Sequence, residues 1–141
     1  CWLGRIITMQ KLVITLYSDD SAVRKTVIAA LGKQIDKDLP IHEIKEFATA
    51  DALRLYVDSK KQVDLFILDA EAVPEGGMGV ARQLKDEVFN CPPVLLITAR
   101  ASDNWLATWS KAEATVLHPI DPFTIASKCA SLLKANSALA N

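Results

Sequence analysis

At 141 residues the chain has room for one domain, and half of it is apolar with 23% charged, the balance of an ordinary globule. Lys plus Arg number 16 against 17 for Asp plus Glu, so no overall field draws in nucleic acid or an anionic membrane. That near-neutrality argues against a stand-alone DNA binder, and no apolar run reaches the length needed to span a bilayer. Three cysteines, Cys1, Cys91 and Cys129, give an odd count without Cys/His ligand spacing. The pattern disfavours a disulfide framework and a zinc site and points to small, mostly buried thiols in a reducing cytoplasm.

Residues 1–8 are read as an extension before Met9, residues 9–134 as the domain and residues 135–141 as a tail that frays for lack of bulky anchors. Leu12-Val13-Ile14-Thr15-Leu16-Tyr17 predicts a buried first strand that ends at Ser18-Asp19-Asp20. A helix follows with Val23, Val27, Ala30 and Leu31 on one face, Asp20 or Ser21 as its N-cap and Gly32 as its stop. Ile41 to Phe47 gives a second strand of untidy alternation. Thr49 caps a second helix that carries Leu53 and Val57 and runs toward Lys60 and Lys61.

Val63 to Asp69 is the clearest core strand, and it again ends on an acid. A loop containing Pro74, Gly76 and Gly77 leads to a third helix with Met78, Ala81, Leu84 and Val88 inward. Val94-Leu95-Leu96-Ile97-Thr98 is the fourth strand. Ser102 or Asp103 caps a fourth helix, on which Trp105 and Trp109 lie one turn apart. Thr115-Val116-Leu117-His118 is a short fifth strand, and Asp121-Pro122 starts a fifth helix with Ile125, Cys129, Leu132 and Leu133 along one side.

Strands alternating with helices imply βαβ units and a doubly wound five-stranded parallel sheet covered on both faces. In such a sheet, sites form beyond the carboxyl ends of the strands where the strand order reverses. With the order 2-1-3-4-5, Asp19, Asp20, Asp69, Thr98 and His118 all fall on that rim. Three carboxylates gathered there repel one another unless a cation joins them, and an all-oxygen set suits Mg²⁺. Asp69 is then a nucleophile able to form an acyl phosphate, and Thr98 a hydroxyl donor to a phosphoryl oxygen.

The ordered motifs resemble the receiver domain of response regulators, the flavodoxin-like phosphoacceptor module of two-component signalling. The resemblance spans about Lys11 to Leu133. It rests on Asp19-Asp20, on Asp64-Leu65-Phe66-Ile67-Leu68-Asp69, and on Pro74 with its glycine loop. It rests also on Glu46 to Leu53, on Ile97-Thr98-Ala99 and on His118-Pro119-Ile120-Asp121-Pro122. It implies that Asp19 and Asp20 hold Mg²⁺ together with Asp69 and the backbone carbonyl of Glu71. It implies too that Asp69 takes phosphate from a histidine kinase, that Thr98 contacts the phosphoryl group, and that the domain signals rather than catalyses.

Three positions depart from the family pattern. His118 replaces the lysine that pairs with the phosphoryl group, Thr115 replaces the aromatic switch residue, and Pro74 lies one residue later than usual. The expected output is a protein contact or a homodimer through residues 102–133, since no effector domain follows. One alternative is a degenerate receiver that binds partners without phosphotransfer. A small Mg²⁺-dependent phosphatase is disfavoured, because Glu71 stands where the second acid of an Asp-x-Asp pair belongs.

Overall fold

The computed structural model describes residues 12–32, 35, 41–59, 63–71, 77–87, 92–98, 113–117 and 120–140. Their elements in chain order are β1 (Leu12–Tyr17), α1 (Ser21–Leu31), β2 (His42–Phe47), α2 (Ala50–Asp58) and β3 (Leu65–Asp69), then α3 (Gly77–Glu87), β4 (Val94–Thr98), β5 (Ala114–Leu117) and α4 (Pro122–Ala140). The strands form one sheet in the order β2-β1-β3-β4-β5, and every pairing is parallel. The doubly wound flavodoxin-like arrangement expected from the sequence is therefore present. The expected fourth helix with Trp105 and Trp109 lies outside the described residues, as do Cys1, Cys91 and the Pro74 loop.

The central strands show why the apolar runs are nearly continuous. Every residue of β3 and of β4 is buried, because alternate side chains feed two different cores. Leu65 and Ile67 point to one face, with Ile14, Leu16, Leu95 and Ile97, and meet Val27 and Leu31 of α1 and Ile125, Cys129 and Leu133 of α4. Phe66 and Leu68 point to the other, where Tyr17 and Leu96 pack with Leu53 of α2 and with Val80, Ala81 and Leu84 of α3. Full burial of one such side chain contributes about 1.5–3 kcal/mol. Cys129 is wholly buried, and burial pushes its thiol up to about 12, so it acts as a small core hydrophobe.

Capping side chains set the helix starts. Asp20 Oδ1 accepts from the Ala22 N–H at 2.9 Å at the head of α1, and Thr49 Oγ1 accepts from the Ala52 N–H at 3.2 Å at the head of α2. Asp121 accepts from the Phe123 N–H at 3.3 Å and from the Thr124 hydroxyl at 2.7 Å, with Pro122 as the first helical residue. Helix α4 continues to Ala140, through the stretch whose lack of bulky anchors predicts fraying; Ala135, Ala138 and Ala140 are strong helix formers there. Strand β2 begins at His42 rather than Ile41, which is 46% exposed on this edge of the sheet. No helix among the described residues is long and apolar enough to cross a membrane.

Gly32 closes α1 at φ 60°, ψ −148°, and its N–H donates to the Ile28 carbonyl. This backbone region is almost reserved for glycine. A Cβ there would meet no atom within 4 Å, so the demand is conformational rather than steric. Gly32→Ala is expected to lower stability by roughly 1–3 kcal/mol in chemical denaturation, with an unchanged denaturant slope.

His42 opens β2 opposite Leu12, and both of its ring nitrogens are buried without a well-formed hydrogen bond among the described residues. Burial holds the imidazole below its ordinary value of 6.5, offset only in part by a weaker polar contact with the Gly32 backbone. With the folded value depressed, the unfolded chain takes up the proton first, so stability is lost as pH falls below the unfolded value. Thermal unfolding between pH 7.5 and roughly pH 5 should therefore fall more steeply for the parent than for His42→Leu. Parallel slopes would remove His42 as a source of acid sensitivity.

Candidate functional site

The geometry of the site follows from one strand pairing. Tyr17 lies opposite Leu68 in the parallel register of β1 and β3, so the next residue along each chain is Ser18 beside Asp69. Both are buried at the carboxyl end of the sheet, Ser18 at 0% and Asp69 at 3% exposure. Because β1 and β3 are neighbours although β2 intervenes in sequence, this is the point where the strand order reverses.

Asp69 is held by groups from two sides. The Ser18 hydroxyl donates to its Oδ2 at 2.7 Å, and the Glu71 backbone N–H donates to its Oδ1 at 2.9 Å. The Ala70 N–H donates to the Ile97 carbonyl at 2.8 Å, tying the turn after β3 to β4. Thr98, at 2% exposure, ends the adjacent strand one residue beyond the level of Asp69, because Asp69 pairs with Ile97. The arrangement is a buried carboxylate whose orientation is fixed by hydrogen bonds, beside a strand that ends on a buried threonine.

Two acids expected in the same cluster are placed differently. Asp19 is exposed just beyond the end of β1. Asp20 is also exposed, and its Oδ1 is used by the Ala22 N–H as the cap of α1. Among the described residues no three His, Cys, Asp or Glu side chains converge closely enough to hold a metal ion. Asp19 and Asp20 stand exposed beyond the end of β1, while Asp69 is buried at the end of β3. Strand register puts a neutral hydroxyl, not an acid, directly against Asp69, and helix capping occupies Asp20. The oxygen donors nearest in chain position remain suited to a hard cation: the carboxylates of Asp69 and Asp19 and the carbonyl of Glu71. His118 lies outside the described residues. Thr115 is half-buried on β5, and its carbonyl accepts from Lys128 Nζ of α4 at 2.5 Å.

Ser18 and Arg24 are the site residues that the sequence reading missed. Arg24, one turn into α1, donates from Nη1 to the Ser18 carbonyl at 2.6 Å and from Nε to Glu46 of β2 at 3.2 Å. Counting along the strands could have found Ser18, since it is the first polar residue after the apolar run of β1. Arg24 carries no comparable signal, because its role depends on how α1 folds back over the loop.

A switch-point carboxylate on a 2-1-3-4-5 parallel sheet defines the CheY-like, flavodoxin-like class of domain. Comparison with known proteins agrees. Over 124 residues the chain is 48% identical to an uncharacterized response regulatory protein of Mycobacterium tuberculosis, found in two strains, covering 88% of this chain and 92% of that protein. The chain belongs to the response regulator receiver family. Among solved structures, the beryllofluoride-activated receiver domain of DrrB, from Thermotoga maritima, superposes with a TM-score of 0.71 at 18% identity over 89% of this chain and 99% of that one. A CheY-like receiver domain protein from Methanospirillum hungatei gives 0.72 at 16% identity over 92% and 98%. No protein-family profile matches the chain.

Asp20 now has a structural role that can be measured apart from any ligand. Asp20→Ala should destabilise the fold by about 1 kcal/mol, whereas Asp20→Asn, an equally good cap, should leave it within a few tenths. Equal losses for both in urea titration would mean that the carboxylate charge, not the cap, is what matters.

Proposed function

We propose that this chain is a phosphorylation-responsive receiver in which Asp69 accepts a phosphoryl group from a histidine kinase, in the presence of Mg²⁺, and signals by binding another protein. The observation that carries this reading is Asp69 itself: a buried carboxylate at the end of the central strand, aimed by the Ser18 hydroxyl and the Glu71 N–H. Such fixed aim is what nucleophilic attack on phosphorus needs, because the carboxylate oxygen must approach in line. Thr98 would bond a phosphoryl oxygen through its hydroxyl, and His118 would serve in the place of the family lysine.

Bound Mg²⁺ would neutralise charge between the carboxylates and the incoming phosphoryl group. Asp69, Asp19, Asp20 and the Glu71 carbonyl are its assigned donors, and Asp20 would ligate through Oδ2, since the α1 cap uses Oδ1. The curated relatives are matched over 92% of their own length, so they are themselves of receiver size. A cytoplasmic setting fits the three cysteines without a disulfide framework, and the absence of direct nucleic-acid contact fits the near-neutral charge of 16 basic against 17 acidic residues. The output face is assigned to residues 102–133, as a contact with a downstream protein or a second copy. Leu117 and Phe123, 45% and 87% exposed, lie in its described part.

A second reading has its own support. His118 in the place of the family lysine, together with Thr115 in the place of the aromatic switch residue, fits a receiver that binds its partner without phosphotransfer. Incubation with acetyl phosphate and Mg²⁺, followed by intact mass, separates the two. The parent should gain one phosphoryl group and Asp69→Ala none. No gain under conditions that modify an ordinary receiver, with no change in tryptophan fluorescence on adding beryllofluoride, would transfer the case to the second reading.

A further inference from the structure

The hydroxyl of Ser18 is committed at both ends. The Asp20 backbone N–H donates to Oγ at 3.1 Å, and Oγ passes its own proton toward Asp69 Oδ2 at 2.7 Å, since a carboxylate oxygen can only accept. The main chain of Ser18 is pinned as well. Its N–H donates to the Phe47 carbonyl at 3.1 Å, and its carbonyl accepts from Arg24 at 2.6 Å, with Arg24 in turn paired to Glu46 at 3.2 Å. Ser18 is fully buried, so these hydrogen bonds lie out of contact with bulk solvent.

A hydrogen bond to a charged oxygen is roughly twice as strong as one to a neutral oxygen. In phosphorylation, a carboxylate oxygen of Asp69 bonds to phosphorus while the bond from phosphorus to the donor's leaving atom breaks (nitrogen in a phosphohistidine, oxygen in acetyl phosphate), and that electron pair departs with the leaving group. No proton is needed at Asp69. The carboxyl group loses its charge, so Oδ2 becomes either the bridging oxygen or the carbonyl oxygen of the acyl phosphate. Either is a weaker acceptor than the carboxylate it replaces. The bond from Ser18 is therefore stronger before phosphorylation than after it, whichever oxygen attacks.

We propose that Ser18 is a positioning residue that acts as a brake, biasing Asp69 toward the unphosphorylated state while the Glu71 N–H suffices to keep the carboxylate in aim. The proposal rests on Asp69 being the phosphoacceptor. The test measures the initial rate of acyl-phosphate formation on the full chain, with acetyl phosphate and Mg²⁺, by intact mass. Ser18→Ala should react about tenfold faster than the parent, from losing a charge-favoured hydrogen bond. Ser18→Cys, close in size but a weak donor, should accelerate in the same direction and stands in if the alanine variant fails to fold. Ser18→Thr, which keeps the hydroxyl, should stay within about twofold of the parent on the same hydrogen-bond argument. A slower or unchanged Ser18→Ala overturns the brake and leaves Asp69 as acceptor, and so does a Ser18→Thr as fast as Ser18→Ala. If neither the parent nor any Ser18 variant gains mass, the acceptor role falls and the brake falls with it.

Discussion

Parallel pairing of β1 with β3 is the constraint from which the site follows. It sets Ile14 against Leu65 and Tyr17 against Leu68, so the two strands bury their side chains into the same pair of cores. A slip of one residue would turn Leu65 and Ile67 to the wrong face and expose them to the other helix layer. Register is therefore fixed by burial along the whole strand, and the polar residues at its end have no choice about their neighbours. Ser18 meets Asp69 because Leu16 meets Ile67.

The same pairing makes the rim responsive to elements some distance away. Ser18 is tied through its carbonyl to Arg24 on α1, and Arg24 to Glu46 on β2, the outer strand. Asp69 is tied through Glu71 N–H to the turn after β3, and Ala70 N–H ties that turn to β4. An exposed ion pair such as Arg24–Glu46 is worth little in itself, ordinarily about 0–1 kcal/mol. Its effect here is geometric, since it orients the guanidinium that holds the Ser18 carbonyl. Asp69 and Ser18 are thus joined by hydrogen bonds to α1, β2 and the turn toward α3.

Much of the architecture was legible in the residues themselves. Val94 to Thr98 and Leu65 to Asp69 are short apolar runs bounded by turn residues, and burial on both faces leaves them little alternative to central strands. Asp20, Thr49, Asp121 and Gly32 marked helix ends because each satisfies a backbone group or a φ that other residues serve poorly. The site was legible only in part. Asp69 announced itself as an acid closing an apolar strand, and Thr98 did so by position. The partner of Asp69 depends on the register of two strands about fifty residues apart in the chain, which composition and periodicity do not encode. Asp20 showed two competing meanings, cap and ligand, and the local backbone claims its Oδ1 for the cap.

That competition bears on how the rim handles charge. A buried carboxylate needs compensation, either from a cation or from hydrogen-bond donors. Asp69 receives donors from Ser18 and Glu71, so dipoles already in the fold hold it, and the folded domain can present the carboxylate before any ligand arrives. With an acid in the place of Ser18, two like charges would face each other at hydrogen-bonding distance, and a cation would become part of what keeps the rim together. The hydroxyl removes that repulsion and leaves only Asp19 and Asp20, both exposed, as further charged groups from the end of β1. On the proposal that Asp69 accepts phosphate, the Ser18 side chain bears both on the charge that a cation would meet and on how readily Asp69 is modified.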